Sequence, residues 1–389
     1  MKILMVLEGE FTTDTRVKKE AEALIAYKHD VSIACSSIKK GLKDIEDISS
    51  VKVFRKRMPS FIYKSSVGCL DFPFYFKYWR KFLDAIITRN SFDVIHLHDI
   101  KLAKVCIALK NKYRLKLVID CHENMPEMLK IAKHTNSGLG RLFFSYKKWT
   151  KYEKKVLAQA DSAIVVVDEM KERILPYVSE KNKIYVVSNT IDLNEANKIT
   201  ATNNTDNIIL FYSGSVTYHR GLQNVIMGLK KIYNTNPKVK LWIVGDGSYL
   251  NTLKKLAIKN GVNQIISFFG RLPHEKLLEK MMSSDVGLIP HIKSGQTDNS
   301  SPNKLFDYMF GKKPIIASNC NSIKRIIESE ECGLTYLHDN PEDFAKKTID
   351  LIKSPELMNK FANNGHIAVM KKYNWKTTSQ SLIQLYNNL

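Results

Sequence analysis

The sequence predicts an α/β protein built from two consecutive doubly wound, Rossmann-like domains. Strand-like and helix-like segments alternate almost from end to end, the pattern of parallel sheets flanked by helices. Between residues 189 and 206 the chain reads NTIDLNEANKITATNNTD, polar, rich in Asn and Thr and without a sustained period, as a linker does; after it the alternation begins afresh. At 389 residues the chain is long enough for two domains, each with its own core.

The first strand is expected at 2–7. A loop and a helix from about Asp14 follow, with Val17, Ala21, Leu24 and Ile25 on one face. Further strands are expected at 31–35, 93–98, 116–121, 163–167 and 184–187, with helices between them. After the linker come strands at 208–212, 240–244, 265–269, 286–290, 314–318 and 334–337. A last helix from about Trp375 to Leu389 lies beyond the natural end of the second sheet. The expected domains are 1–189 and 190–374, with 375–389 packing back on the first.

Hydrophobic content of 44% with 25% charged residues is that of a soluble globular protein. No apolar run approaches the ~20 residues of a membrane span, and Met1-Lys2 leads straight into a strand, so neither a transmembrane helix nor a signal peptide is expected. The expected location is cytoplasmic. Six cysteines are scattered singly, without CxxC or zinc-like Cys/His spacing, and read as small core residues.

A net charge of +21 asks for an acidic partner. Residues 52–81 and 130–155 each carry eight Lys/Arg against one acid and together supply +14 of it. Both are laced with aromatics: Phe61, Tyr63, Phe72, Phe74, Tyr75, Phe76, Tyr78 and Trp79 in one, Phe143, Phe144, Tyr146, Trp149 and Tyr152 in the other. Such interleaving suits an anionic membrane surface or a lipid-linked acceptor, and it suits single-stranded nucleic acid. In the second stretch, Tyr146, Trp149 and Val156 also fit the buried stripe of a helix.

Open parallel sheets bind ligands outside the carboxyl ends of their strands. The first domain offers Asp14, Arg16, His98, Asp99 and Asp120-Cys121-His122-Glu123 there. The second offers Ser213-Gly214-Ser215, His219-Arg220-Gly221, Gly245-Asp246-Gly247, Gly270-Arg271 and the segment 294–307. The first strand-to-helix loop, Glu8 to Asp14, has one glycine and three acids, so the dinucleotide fingerprint GxGxxG is absent, which counts against an NAD enzyme. The segment SSPNKLFDYMFGKK from Ser300 follows a strand and a polar loop, and Ser and Pro mark a helix start whose free N–H groups favour an anion. Lys304 falls in that first turn, where the helix dipole disfavours a cation unless a phosphate is present. An ordinary solvated helix start is the competing reading. No nucleophile elbow and no Asp-x-Asp after a strand is found, so the consistent choice is a metal-free diphosphate site made of backbone N–H groups, Arg220 and Lys304.

Nine segments stand in order along the chain: DTRVKKEAEAL from Asp14, DVIHLHD from Asp93, IDCHENMPE from Ile119, ADSAIVVVDEM from Ala160, VVSNTID from Val186, YSGSVTYHRGLQNVI from Tyr212, WIVGDG from Trp242, FFGRLPHEKL from Phe268 and SSPNKLFDYMFGKKPIIAS from Ser300. Through them the chain resembles, over nearly its whole length, the retaining glycosyltransferases of family 4 with the GT-B fold. The resemblance implies two domains with a cleft between them, a nucleotide-sugar donor on the second and an acceptor on the first. It puts Arg220 on the diphosphate, Gly214 close to it, Arg271 and Leu272 beside the base, Asp307 on the ribose hydroxyls, Asn299 at the donor sugar and His122 near the reacting carbon. Gly245, Ser300, Ser301, Asn303 and Leu305 complete the expected donor side; Asp14, Arg16 and Glu123 are expected with His122 on the acceptor side. The sequence departs from the family where Ser215 replaces a frequent basic residue and where Asn299 and Asp307 replace a pair of glutamates; Lys304 is expected to supply the missing cation.

The expected activity is transfer of a sugar from a nucleoside diphosphate to a hydroxyl with retention, in the synthesis of cell-surface polysaccharide or lipopolysaccharide glycans. The acceptor is a glycan or a lipid-linked glycan, reached at the inner face of the membrane, with neither metal nor other cofactor. A nucleotide-sugar epimerase of the same fold is one alternative. A basic nucleic-acid-binding protein is another, which leaves the second-domain motifs unexplained, so no nucleic acid partner is expected.

Overall fold

The first half of the chain forms an eight-stranded sheet from β1 (Lys2–Leu7), β2 (Asp30–Ser37), β3 (Ile45–Ile48), β4 (Val51–Arg57), β5 (Val94–His98), β6 (Lys116–Cys121), β7 (Ser162–Val165) and β8 (Ile184–Val186). The strand order is β3-β4-β2-β1-β5-β6-β7-β8, parallel except for β3, which runs antiparallel to β4. The second half forms a six-stranded, all-parallel sheet from β9 (Ile208–Ser213), β10 (Val239–Val244), β11 (Ile266–Gly270), β12 (Val286–Ile289), β13 (Ile315–Ser318) and β14 (Gly333–Tyr336), in the order β11-β10-β9-β12-β13-β14. The computed structural model describes residues 1–132, 135, 140–193 and 206–389. The chain divides into two units, Met1–Ser188 with Ser379–Leu389, and Asn189–Thr378.

Central strands such as β1, KILMVL, are buried at every position but the first. Helices covering both faces of a parallel sheet produce such continuous apolar runs. The helix Thr15–Ala26 packs Val17, Ala21 and Leu24 inward, and its start is fixed by Asp14, whose carboxylate accepts from Val17 N at 3.1 Å. The last helix, Trp375–Asn387, carries the chain back to the first unit from Ser379 onward, where Tyr386 is buried with its hydroxyl 2.8 Å from His96 Nδ1. All six cysteines are unpaired and buried.

The structure adds the β3–β4 hairpin to the elements expected from sequence. β4 buries Val51, Val53 and Phe54 on alternation with exposed Lys52, and it runs into the basic stretch, where Arg55 is buried against Glu10 and Glu46 rather than offered to a partner. The aromatics divide likewise: Tyr75, Phe76, Trp79 and Trp149 belong to the core, while Tyr146, expected on a buried helical stripe, is exposed. Of the linker at 189–206, residues 194–205 lie outside the described residues; Ile191 bridges to Asn374 within the second unit. No helix among the described residues is long and apolar enough to cross a membrane.

Candidate active site

In the second unit the direction of winding reverses between β9 and β12, the place where an open parallel sheet leaves a crevice at its carboxyl edge. β9 hands on to Gly214 and Ser215, and β12 to Pro290 and His291. Arg220 joins the two exits: its Nε donates to Ser215 Oγ at 3.2 Å and its Nη1 to His291 Nε2 at 3.1 Å. A guanidinium only donates, so His291 accepts through Nε2. Burial, with the Arg220 and Lys304 charges, holds His291 well below the usual histidine range, and the ring is neutral.

Lys304 reaches the same place as the first residue of the helix Lys304–Phe310. Its Nζ lies 3.9 Å from the centroid of the Tyr212 ring, and Tyr212 turns its hydroxyl away to donate to Ser215 O at 2.7 Å. Although the residue as a whole keeps some exposure, Nζ is shut off from water, and it finds no hydrogen-bond partner among the described residues. Burial and the Arg220 charge push Lys304 well below the usual lysine range, and Asp307 only partly opposes this.

Two glycines make room for this wall. Gly214 has φ +132°, and a Cβ there would stand 2.9 Å from Lys304 Nζ; a Cβ on Gly245 would stand 1.8 Å from Gly214 O. The result is two cationic side chains over a glycine turn, one lacking any acceptor, and an anion with several oxygens would complete it.

The other expected donor-side residues are distributed around this wall. Asn299 lies on the short 3-10 turn Thr297–Asn299, with its Nδ2 donating to Gly295 O at 2.7 Å. Ser300 accepts through its carbonyl from Ser322 Oγ, and Ser301 Oγ is buried without a partner among the described residues. Asn303 caps the Lys304 helix by position but makes no side-chain cap bond. That helix starts at Lys304, later than the Ser-Pro signal implied, because Pro302 turns the chain and its carbonyl accepts from Leu305 N at 2.9 Å. Leu305 is wholly buried in the core, so its side chain cannot touch a donor. Asp307 is half-buried one turn along the same helix, Arg271 is exposed just past β11, and Leu272 is half-buried against the core.

In the first unit, β1, β5 and β6 present a buried charge network at their carboxyl ends. Arg16 donates from Nε to Glu20 at 2.9 Å and from Nη2 to both oxygens of Asp120 at 3.0 and 3.1 Å. Asp120 Oδ2 lies 2.8 Å from His122 Nε2, which is also 3.2 Å from His98 Nδ1. Burial alone would lower His122, but the Asp120 carboxylate outweighs it and lifts the ring to about 9, so it is an imidazolium at neutral pH. Burial takes His98 down to about 3, leaving it a neutral acceptor. Asp99, whose Oδ1 accepts from His122 N at 3.3 Å, holds φ +63°, a strained conformation for a non-glycine residue.

This places the acceptor-side residues unequally. His122 is half-buried and Glu123 exposed at the rim. Arg16 is instead buried, its guanidinium spent on two carboxylates, and Asp14 is spent as a helix cap; both hold the site rather than face a ligand. Glu20, His96, His98 and Asp120 bring possible metal-ligand atoms within 4.8 Å of one another. Arg16 already supplies positive charge to both carboxylates, and we assign the set to the network that holds His122. Sequence reasoning missed His291 and Tyr212, and it missed Glu20 and His96 as members of this network. The i, i+4 spacing of Arg16 and Glu20 and the i, i+2 spacing of His96 and His98 were visible signals. For His291 the only signal was its place directly after a strand.

Two family models divide the chain: "Glycosyltransferase Family 4" matches residues 14–195 and "Glycosyl transferases group 1" matches residues 194–367. The chain belongs to the group 1, family 4 glycosyltransferases. This glycosyltransferase is 23% identical over 296 residues to glycogen synthase of Mycobacterium tuberculosis, covering 76% of this chain and 68% of the relative. Its fold is that of sucrose-phosphate synthase from Thermosynechococcus elongatus, with a TM-score of 0.79 at 15% identity over 100% of this chain and 98% of the other. It is also that of Anabaena HepE, solved in complex with UDP, with a TM-score of 0.73 at 15% identity over 100% of both chains. These likenesses make the fold GT-B.

Proposed function

We propose that this glycosyltransferase takes a sugar from a nucleoside diphosphate held by the second unit and passes it, with retention, to a hydroxyl of a glycan or lipid-linked acceptor bound by the first. The observation that carries the reading is the convergence of Arg220 and the acceptor-less Lys304 Nζ on the glycine turn after β9. A diphosphate there would give Lys304 the partner it lacks, and the UDP bound by HepE belongs to that chemical class. Arg271 and Leu272 would flank the base, Asp307 the ribose, and Asn299 with Ser300, Ser301 and Asn303 the sugar side of the donor.

Retention through a covalent intermediate needs a carboxylate close to the sugar, and Asn299 supplies an amide there. A front-face route fits better: as the bond from the anomeric carbon to the diphosphate breaks, a diphosphate oxygen takes the proton of the attacking hydroxyl. Arg220 and Lys304 stabilise the charge that develops on the leaving group. In this reading their two charges make a metal unnecessary. His122, held charged by Asp120, stands on the acceptor side as a hydrogen-bond donor. We place the reaction in cell-surface glycan synthesis, on the cytoplasmic side of the membrane.

Arg220→Ala and Lys304→Ala are each expected to lower the transfer rate on the order of 10² or more and to weaken the rise in melting temperature caused by UDP or GDP. Full transfer activity and an unchanged melting response in both variants would remove the proposal.

A further inference from the structure

Burial separates the aromatic residues at 52–81 and 130–155 into core and surface. Phe61, Phe72, Phe74 and Phe143 are 66%, 42%, 48% and 36% exposed, and their rings touch in series. Phe61 meets Phe74 with centroids 5.9 Å apart, Phe74 meets Phe72 at 6.5 Å, and Phe72 meets Phe143 at 5.4 Å. Leu142, beside Phe143, is 75% exposed. Three separate segments build this ridge: the helix Ser60–Ser65, which buries no residue, the stretch from Phe72 into the start of the helix Phe74–Arg89, and the short helix Gly140–Phe143. Single exposed apolar side chains are ordinary, but a contiguous ridge of four rings marks an interaction site.

A cavity of about 570 Å³ adjoins the ridge through Asp71, the residue before Phe72. Leu70, Ile107 and Val156 line its apolar part, and Lys148, Lys151 and Lys155 its basic part. Asp71, the one acid of residues 52–81, is already bonded to Lys148. Beside the helix that carries Phe61, Arg57, Tyr63 and Lys64 line a second hollow of about 600 Å³. Rings that project beyond the surface, flanked by exposed cations and an apolar hollow, match the layers of an anionic bilayer: headgroup phosphates outside, acyl chains within. Single-stranded nucleic acid fits less well, because the Phe61–Phe74 and Phe72–Phe143 pairs meet edge to face, at 62° and 76°, rather than offering free faces for bases.

We propose that this face of the first unit docks on an anionic phospholipid bilayer, with the phenylalanine ridge entering the interface and the lysines of the cavity taking lipid phosphates. The proposal is independent of the sugar-transfer reading. It is tested by co-sedimenting the full chain with vesicles of phosphatidylcholine alone and of phosphatidylcholine mixed with phosphatidylglycerol. Binding is expected to the mixed vesicles only. The double change Lys151→Gln/Lys155→Gln is expected to weaken it roughly 25-fold, at about a factor of five per basic side chain. Phe72→Ser/Phe74→Ser is expected to weaken it at least as much, while leaving the circular dichroism spectrum and the melting response to UDP or GDP unchanged. Equal binding to both vesicle types, or vesicle binding untouched by either variant, overturns the proposal. So does release of the chain from vesicles by inorganic phosphate or by a single-stranded oligonucleotide at the same charge concentration, which would assign the face to a free anion or to nucleic acid.

Discussion

An ammonium without a hydrogen-bond acceptor is unfavourable in a protein interior unless it gives up its proton or acquires a partner. Lys304 is such a group: its Nζ has no acceptor among the described residues, and burial and Arg220 depress it. A diphosphate would raise it again, so binding should draw a proton from solution wherever the free ammonium has begun to titrate below the usual lysine range. Titration calorimetry of UDP or GDP across that range, in two buffers of different ionisation enthalpy, is expected to show proton uptake, and Lys304→Met should abolish it. Absence of uptake in the native chain would contradict a diphosphate at this position. His122 behaves in the opposite sense. Its folded value, about 9, lies above the unfolded value near 6.5, so the stability it contributes is fully present below about pH 6.5 and is lost as pH rises through about 9. The span corresponds to about 3 kcal/mol, and the side chain is only 17% exposed. The melting temperature of the native chain should therefore fall more steeply between those pH values than that of His122→Gln; parallel profiles would dissociate His122 from the Asp120 charge.

At the scale of elements, the turn from β9 into Gly214 and Ser215 carries the donor wall. Gly214→Ala would force a side chain into a backbone conformation that costs about 1–3 kcal/mol and bring its Cβ against Lys304 Nζ. It is expected to lower stability by that amount and to reduce the melting response to UDP or GDP; a variant that melts and responds like the native chain would show the turn to be unimportant. Much of this was legible in the sequence. Apolar runs such as KILMVL and IILFYS located β1 and β9, and Gly214, Arg220 and Lys304 stood out by residue type and position. The hairpin was not legible, because β3 reads IEDI with no fully buried position and β4 merges into a run of cations. Nor could spacing show that Arg16 reaches Asp120, or that Arg220 reaches across to His291, 71 residues on. Those pairings exist only once separate strands end side by side.

At the scale of the molecule, both sheets reverse their winding at the first strand of the unit, between β1 and β5 and between β9 and β12, and each groups its charged side chains at the carboxyl edge of that reversal. The +21 charge is unevenly spent: Arg16, Arg55 and Arg173 are absorbed in ion pairs, while the lysines beside the phenylalanine ridge remain at the surface. Burial raises Cys35 to about 11 and both Cys69 and Cys332 to about 12, so in the native chain these thiols are neither ionised nor within reach of a reagent. Four of the six belong to the first unit and two, Cys320 and Cys332, to the second. Alkylation can then proceed only through molecules that have transiently opened, and peptide mapping of the labelled sulfurs would time the opening of each half separately, with no engineered probe.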